Sequence, residues 1–137
     1  MKDKIVVITG GSEGLGKAVA TKLVAEGAKV VLVAHNQEKL VAACGQMGEN
    51  ANHYVCDVSV PAEVRTTASQ ILEHYGTIDI LINCAGIWTD EELEKADPDR
   101  RKKVLETNTL GTIEFTKAFE PSLRAHNKGH VLNVIST

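Results

Sequence analysis

A chain of 137 residues is long enough for one domain with a buried core, and 43% hydrophobic with 24% charged residues excludes a disordered chain. A formal net charge of −3 provides no basic field to recruit nucleic acid or an acidic membrane surface, and no apolar run reaches the roughly 20 residues of a membrane helix. The three cysteines, Cys44, Cys56 and Cys84, are widely spaced and form no C-x-x-C pair, which argues against disulfides and a metal and for a reducing compartment, the cytoplasm.

In chain order, Lys4–Thr9 reads as a near-continuous apolar strand, the pattern of a parallel sheet covered on both faces. Its apolar part, Ile5–Ile8, is too short for the core of a signal peptide. Gly10-Gly11-Ser12-Glu13-Gly14-Leu15-Gly16 follows and opens a helix to Glu26 with Leu15, Ala18, Val19 and Leu23 at helical spacing, closed by Gly27. Glycines at a strand-to-helix turn let backbone N–H groups approach a ligand, and the helix N-terminus favours a diphosphate there. The spacing, G-x-x-x-G-x-G at Gly10, Gly14 and Gly16, differs from the G-x-G-x-x-G of the usual dinucleotide fingerprint. Ser12 places a hydroxyl in the turn, for a phosphate or for local capping, while Glu13 points to solvent or to an adenosine ribose.

Val30–Val33 is a second buried strand, and Leu40, Val41, Cys44 and Met47 mark a second helix. His53–Cys56 is a third, shorter strand ending at Asp57, and Ser59 with Pro61 marks a helix start. Val64, Ala68, Ile71, Leu72 and Tyr75 form that helix's apolar face, and Gly76 ends it. Ile78–Ile82 is a fourth strand running into Asn83-Cys84-Ala85-Gly86. The acidic stretch Asp90–Glu94 is a loop or short helix. Asp97-Pro98 then caps a long helix carrying Val104, Leu105, Phe115, Ala118 and Phe119, and a turn at His126–Gly129 leads to a fifth strand, Val131–Ile135. Alternating strands and helices predict a doubly wound parallel, Rossmann-like α/β sheet filling residues 1–137. Its ligand crevice lies outside the strand C-termini where the strand order reverses, between strand one, ending at Thr9-Gly10, and strand four, ending at Asn83.

With these elements in place the chain resembles the short-chain dehydrogenase/reductase family along its whole length. Thr9-Gly10 with Gly14-Leu15-Gly16 is similar to the family's T-G-x-x-x-G-x-G coenzyme turn. Asp57 matches the acidic residue that meets the adenine, with Val58 beside it. Asn83-Cys84-Ala85-Gly86 matches N-N-A-G with Cys84 in place of the second Asn. Asn108 falls on the helix-borne active-site Asn, and Ser136 on the catalytic Ser. The family's Tyr-x-x-x-Lys is absent from these residues: Tyr54 is followed at the fourth position by Val58, and Tyr75 by Asp79.

The resemblance implies a cofactor site of Thr9, Gly10, Ser12, Gly14, Leu15, Gly16, His35, Asn36, Asp57, Val58, Asn83, Ala85 and Gly86, with Asn108 and Ser136 catalytic. NAD sites place an acid at the end of strand two to meet the ribose 2′-OH. Here Ala34-His35-Asn36 has none, which tilts the cofactor from NAD to NADP, with His35 where NADP-leaning members carry Arg. Asp57 serves equally as a turn residue before its helix. Asn83–Gly86 lets the backbone pass close to a cofactor ribose, and Cys84 reads as a small, buried, unreactive thiol. Asn108 is costly within a helix, which points to a specific partner, with a solvated helix position as the alternative; the family role is to hold a water in a proton relay. Ser136 ends a strand at the crevice, where it reaches a substrate carbonyl. Trp88 is a loop anchor before it is a pocket wall, and His53, His74 and His126 are surface or packing residues.

The expected function is NAD(P)-dependent hydride transfer to or from a small-molecule carbonyl or alcohol, with no nucleic-acid or membrane partner. These residues read as the N-terminal, cofactor-binding part of a homo-oligomeric reductase. Without the Tyr and Lys they should be inactive alone. The alternative is a non-catalytic dinucleotide-binding or scaffold half-domain completed by a partner. An apolar fifth strand left as an uncovered edge speaks against a complete chain.

Overall fold

The computed structural model describes residues 1–92, 95, 97–125 and 127–135, so Ser136 and His126 lie outside it. The order is β1 (Ile5–Thr9), α1 (Gly14–Ala25), β2 (Lys29–Ala34), α2 (Gln37–Met47), β3 (Ala51–Val55), α3 (Pro61–Tyr75) and β4 (Ile80–Asn83), then α4 (Pro98–Leu105), a π turn (Glu106–Leu110), α5 (Gly111–Ala125) and β5 (His130–Asn133). The strands pair in parallel in the order β3-β2-β1-β4-β5. Their order reverses between β1 and β4, which stay paired to Thr9 and Asn83, so the turns that follow those two strands flank the crevice that the sequence predicts.

Strand periodicity divides the core. Val7, Val31, Val33 and Leu81 face α3 and α5 and pack with Ile71, Phe115 and Phe119. Their neighbours Val6, Ile8, Val30, Leu32 and Ile82 face α1 and α2 and pack with Ala20, Leu40 and Ala43. Burial on both faces is why β1 and β2 are runs of Val, Ile and Leu rather than alternating strands. The Phe115 and Phe119 rings stack at 6.1 Å between α5 and the sheet.

Local details depart from the sequence reading. The buried side of α1 is Gly16 and Ala20, while Leu15, which lines the crevice, and Ala18 are exposed. Ser59 does not cap α3. Val60 holds the cap position with no side-chain bond, and Pro61 begins the helix. Asp97 does cap α4, accepting from the Asp99 N–H at 3.1 Å. The predicted long helix exists but is interrupted by the π turn, which closes with Gly111 N–H donating to the Glu106 carbonyl. Trp88 is 80% exposed, so it is not the buried loop anchor expected. All four residues of β5 are exposed.

Candidate cofactor cleft

The turn after β1 is built by sterics. Gly10 has φ +68°, and a Cβ there would lie 2.8 Å from the Ala85 backbone. A Cβ on Gly16 would fall inside contact distance of the Gly10 carbonyl, which locks the start of α1 under the turn. Gly14, at φ +54°, has nothing within 4 Å of its Cβ position. It opens to a cleft of about 610 Å³ shared by the turn, the β2 and β3 ends, the 84–87 loop and the α4–π segment. The Glu13 side chain makes no cap bond to α1, so it leaves the first-turn amides uncapped, and Gly14 and Leu15 line this cleft at the positive end of the helix.

The predicted site residues separate into those that line the cleft and those that hold it. Gly10, Ser12, Gly14, Leu15, Gly16, His35, Asp57, Val58, Ala85 and Gly86 line it. Thr9 stands behind the wall, 2% exposed, and its hydroxyl accepts from the Cys84 and Ala85 N–H groups, both at 3.1 Å. Asn36 turns away and caps α2, accepting from the Lys39 N–H at 3.0 Å. Asn83 is buried, donating to Thr116 Oγ1 at 3.2 Å and Asn133 Oδ1 at 2.9 Å. It braces β4 against β5 and α5. Short polar side chains in strand-end loops bond nearby backbone as readily as a ligand, which is why sequence alone does not separate these roles.

Asn108 sits on the π turn with its side-chain amide engaged at both ends. Oδ1 accepts from the Ile87 N–H and Nδ2 donates to the Ile87 carbonyl, each at 2.8 Å. This is the specific partner that a costly helical Asn implies. It is the loop backbone, and Gly86 passes beside it with its Cβ position 3.5 Å from Asn108 Oδ1. Ser136 lies outside the described residues.

Two charged clusters sit on the rim. Glu13 Oε2 accepts from Lys39 Nζ at 2.7 Å, and this hydrogen bond, then the lysine's charge, lowers the Glu13 pKa. At the β3 end, Asp57 Oδ1 accepts from the Ser59 N–H (2.9 Å) and hydroxyl (2.6 Å), and Oδ2 from Lys103 Nζ (2.9 Å). Burial raises the Asp57 pKa, but the Ser59 hydroxyl, Lys103 and the Ser59 N–H together bring it down to about 2. Lys103, Thr107, Ile87 and Cys84 line the cleft without having been expected there. The Cys84 thiol is half-buried rather than buried; burial raises its pKa and a hydrogen bond from the Gly16 N–H opposes that. Among the described residues no His, Cys, Asp and Glu cluster could hold a metal ion, and no helix is long and apolar enough to cross a membrane.

Comparison with known proteins agrees with this geometry. The family model described as short chain dehydrogenase matches residues 4–137. An uncharacterised oxidoreductase of Staphylococcus epidermidis is 31% identical over 136 residues, covering 99% of this chain and 59% of that protein. A metagenomic short-chain oxidoreductase, solved in complex with NADP, superposes with a TM-score of 0.93 at 32% identity, over 99% of this chain and 63% of its own. Serine dehydrogenase from Escherichia coli superposes with a TM-score of 0.90 at 29% identity, over 97% and 62% respectively.

Proposed function

Because the chain belongs to the short-chain dehydrogenase family, we propose that its cleft binds a nicotinamide dinucleotide and serves an oxidoreductase acting on a small-molecule carbonyl or alcohol. The observation that carries this reading is the glycine turn. Substituents at Gly10 and Gly16 are excluded by backbone, while Gly14 leaves open space beside the amides at the start of α1. That is a cradle for a diphosphate. Gly10, Ser12, Gly14, Leu15 and Gly16 hold the diphosphate in this reading. His35, Asp57 and Val58 lie on the adenosine side, and Ala85 and Gly86 on the nicotinamide side, with Thr9, Asn36 and Asn83 bracing the walls. Bound there, the cofactor supplies the hydride.

The chain's own residues position and manage the proton. Asn108 fixes the 84–87 loop through Ile87 and so supports the nicotinamide half and the relay. Ser136 orients the substrate oxygen. The proton donor is a Tyr with its Lys from outside these 137 residues, because neither tyrosine here has a Lys four positions on. The chain spans 59% of the staphylococcal protein and less than half of some other relatives, which accommodates that division. NADP is the favoured cofactor. No acid stands at the end of β2, and the Glu13 charge that would repel a 2′-phosphate is already countered by Lys39 at 2.7 Å. Exposed Leu105, Leu110 and Ile113 on the α4–α5 segment provide a face for assembly of the whole protein as a homo-oligomer. A soluble, cytoplasmic protein is the setting this reading assumes.

The test is thermal stabilisation. Millimolar NADPH should raise the melting temperature, NADH by less, and Gly14→Glu should remove both shifts by filling the turn. Residues 1–137 alone should show no carbonyl reduction. An unchanged shift in Gly14→Glu would sink the assignment of the turn, and robust turnover would overturn the account of the proton donor.

A further inference from the structure

α4 is held against the body of the protein in an unusual way. None of its residues is fully buried, and Val104 is only half-buried, so little of the helix is packed as core. Arg100 pairs with Glu91 in the preceding segment (2.9 Å) and Lys102 with Glu106 one turn on (3.7 Å). Those contacts are local. Lys103 instead reaches across 46 positions of sequence to Asp57 Oδ2 at 2.9 Å and donates to the Ser59 hydroxyl as well. Ser59 bonds the other Asp57 oxygen, so the three side chains close a ring that ties the middle of α4 to the β3–α3 loop. One element later Gly111 meets the same loop, with its Cβ position 2.9 Å from the Val58 carbonyl. Asp57, Val58 and Lys103 all line the cleft.

We infer that Lys103 is a positioning residue for the adenosine half of the ligand: it docks α4 on the β3–α3 loop and so completes the cleft wall there. This rests on the dinucleotide reading above. A wall with so little buried surface leans on its ion pair, and the pair also fixes Asp57 and Val58, whose loop faces the base. Lys103 neither touches the reacting atoms nor supports the nicotinamide half, where Asn108 holds the loop instead.

The test is a set of titrations on wild type, Lys103→Met and Lys103→Arg, with NADPH, AMP and reduced nicotinamide mononucleotide. Lys103→Met should weaken NADPH and AMP by the same factor, about fivefold for a half-exposed ion pair in a small network. The mononucleotide, which lacks adenosine, should be unaffected, and Lys103→Arg should restore AMP binding. In an Asp57→Asn background the Lys103→Met loss should shrink, since the partner is already gone. Equal weakening of all three ligands, or none, overturns the inference while leaving the dinucleotide site standing. No binding of any ligand by wild type overturns the dinucleotide reading and this inference with it.

Discussion

Thr9 acts from behind the cleft wall, and its effect is on stability before it is on ligand. Its hydroxyl is the acceptor for two backbone N–H groups of the 84–85 turn. Thr9→Val leaves them unpaired and should cost about 2 kcal/mol in urea unfolding, whereas Thr9→Ser should be close to neutral. The glycines divide differently. Gly16→Ala should destabilise the fold, because the new Cβ meets the Gly10 carbonyl; Gly14→Ala meets nothing within 4 Å and adds only the strain of a positive φ, about 1 kcal/mol. Asp57 gives a pH signature. Its pKa is depressed from 3.8 to about 2, so its contribution is present in full above about pH 4 and is lost as pH falls through 2. Discounted for a side chain 36% exposed, that is about 1 kcal/mol. Asp57→Asn should flatten the acid limb of the stability curve by that amount. At this scale the glycine spacing is legible in the sequence because only Gly meets those steric demands. Lys103 is not, since a lysine on a polar helix carries no sign of what it reaches.

At the scale of elements the instructive case is the helical segment from Pro98 to Ala125. Its start is legible from Asp97-Pro98, and its buried face from Phe115 and Phe119. Its π turn is not, because a π turn has no composition of its own; it marks where a tertiary contact wins over regular winding. Here that contact is the Asn108 grip on Ile87, which the turn carries at the level of the 84–87 loop. Asn108→Ala removes both bonds and should cost 1–3 kcal/mol by the usual worth of an unpaired backbone group. It should also raise the hydrogen-exchange rate at Ile87. Asn108→Asp retains an acceptor for the Ile87 N–H but sets a carboxylate against the Ile87 carbonyl, so it should not rescue. Unchanged exchange at Ile87 in Asn108→Ala would show that the loop holds without this grip.

For the whole molecule, the parallel sheet and its reversal between β1 and β4 follow from strands apolar on both faces joined by helices, which is why the architecture is readable from pattern alone. The division of the cleft into lining and bracing residues is not readable, because Thr9, Asn36 and Asn83 carry the same short polar groups in either role. β5 carries exposed Val131 and Leu132 on an edge that a parallel sheet normally buries. In the proposed function a dinucleotide lies along this cleft with its diphosphate over Gly14 and Leu15. A crystal structure of the protein with NADPH tests it most directly. The diphosphate should lie within hydrogen-bond distance of the Gly14 and Leu15 amides, with the adenosine towards Asp57 and Lys103 and the nicotinamide towards Gly86 and Ile87. A dinucleotide bound elsewhere, or none under saturating NADPH, would contradict it.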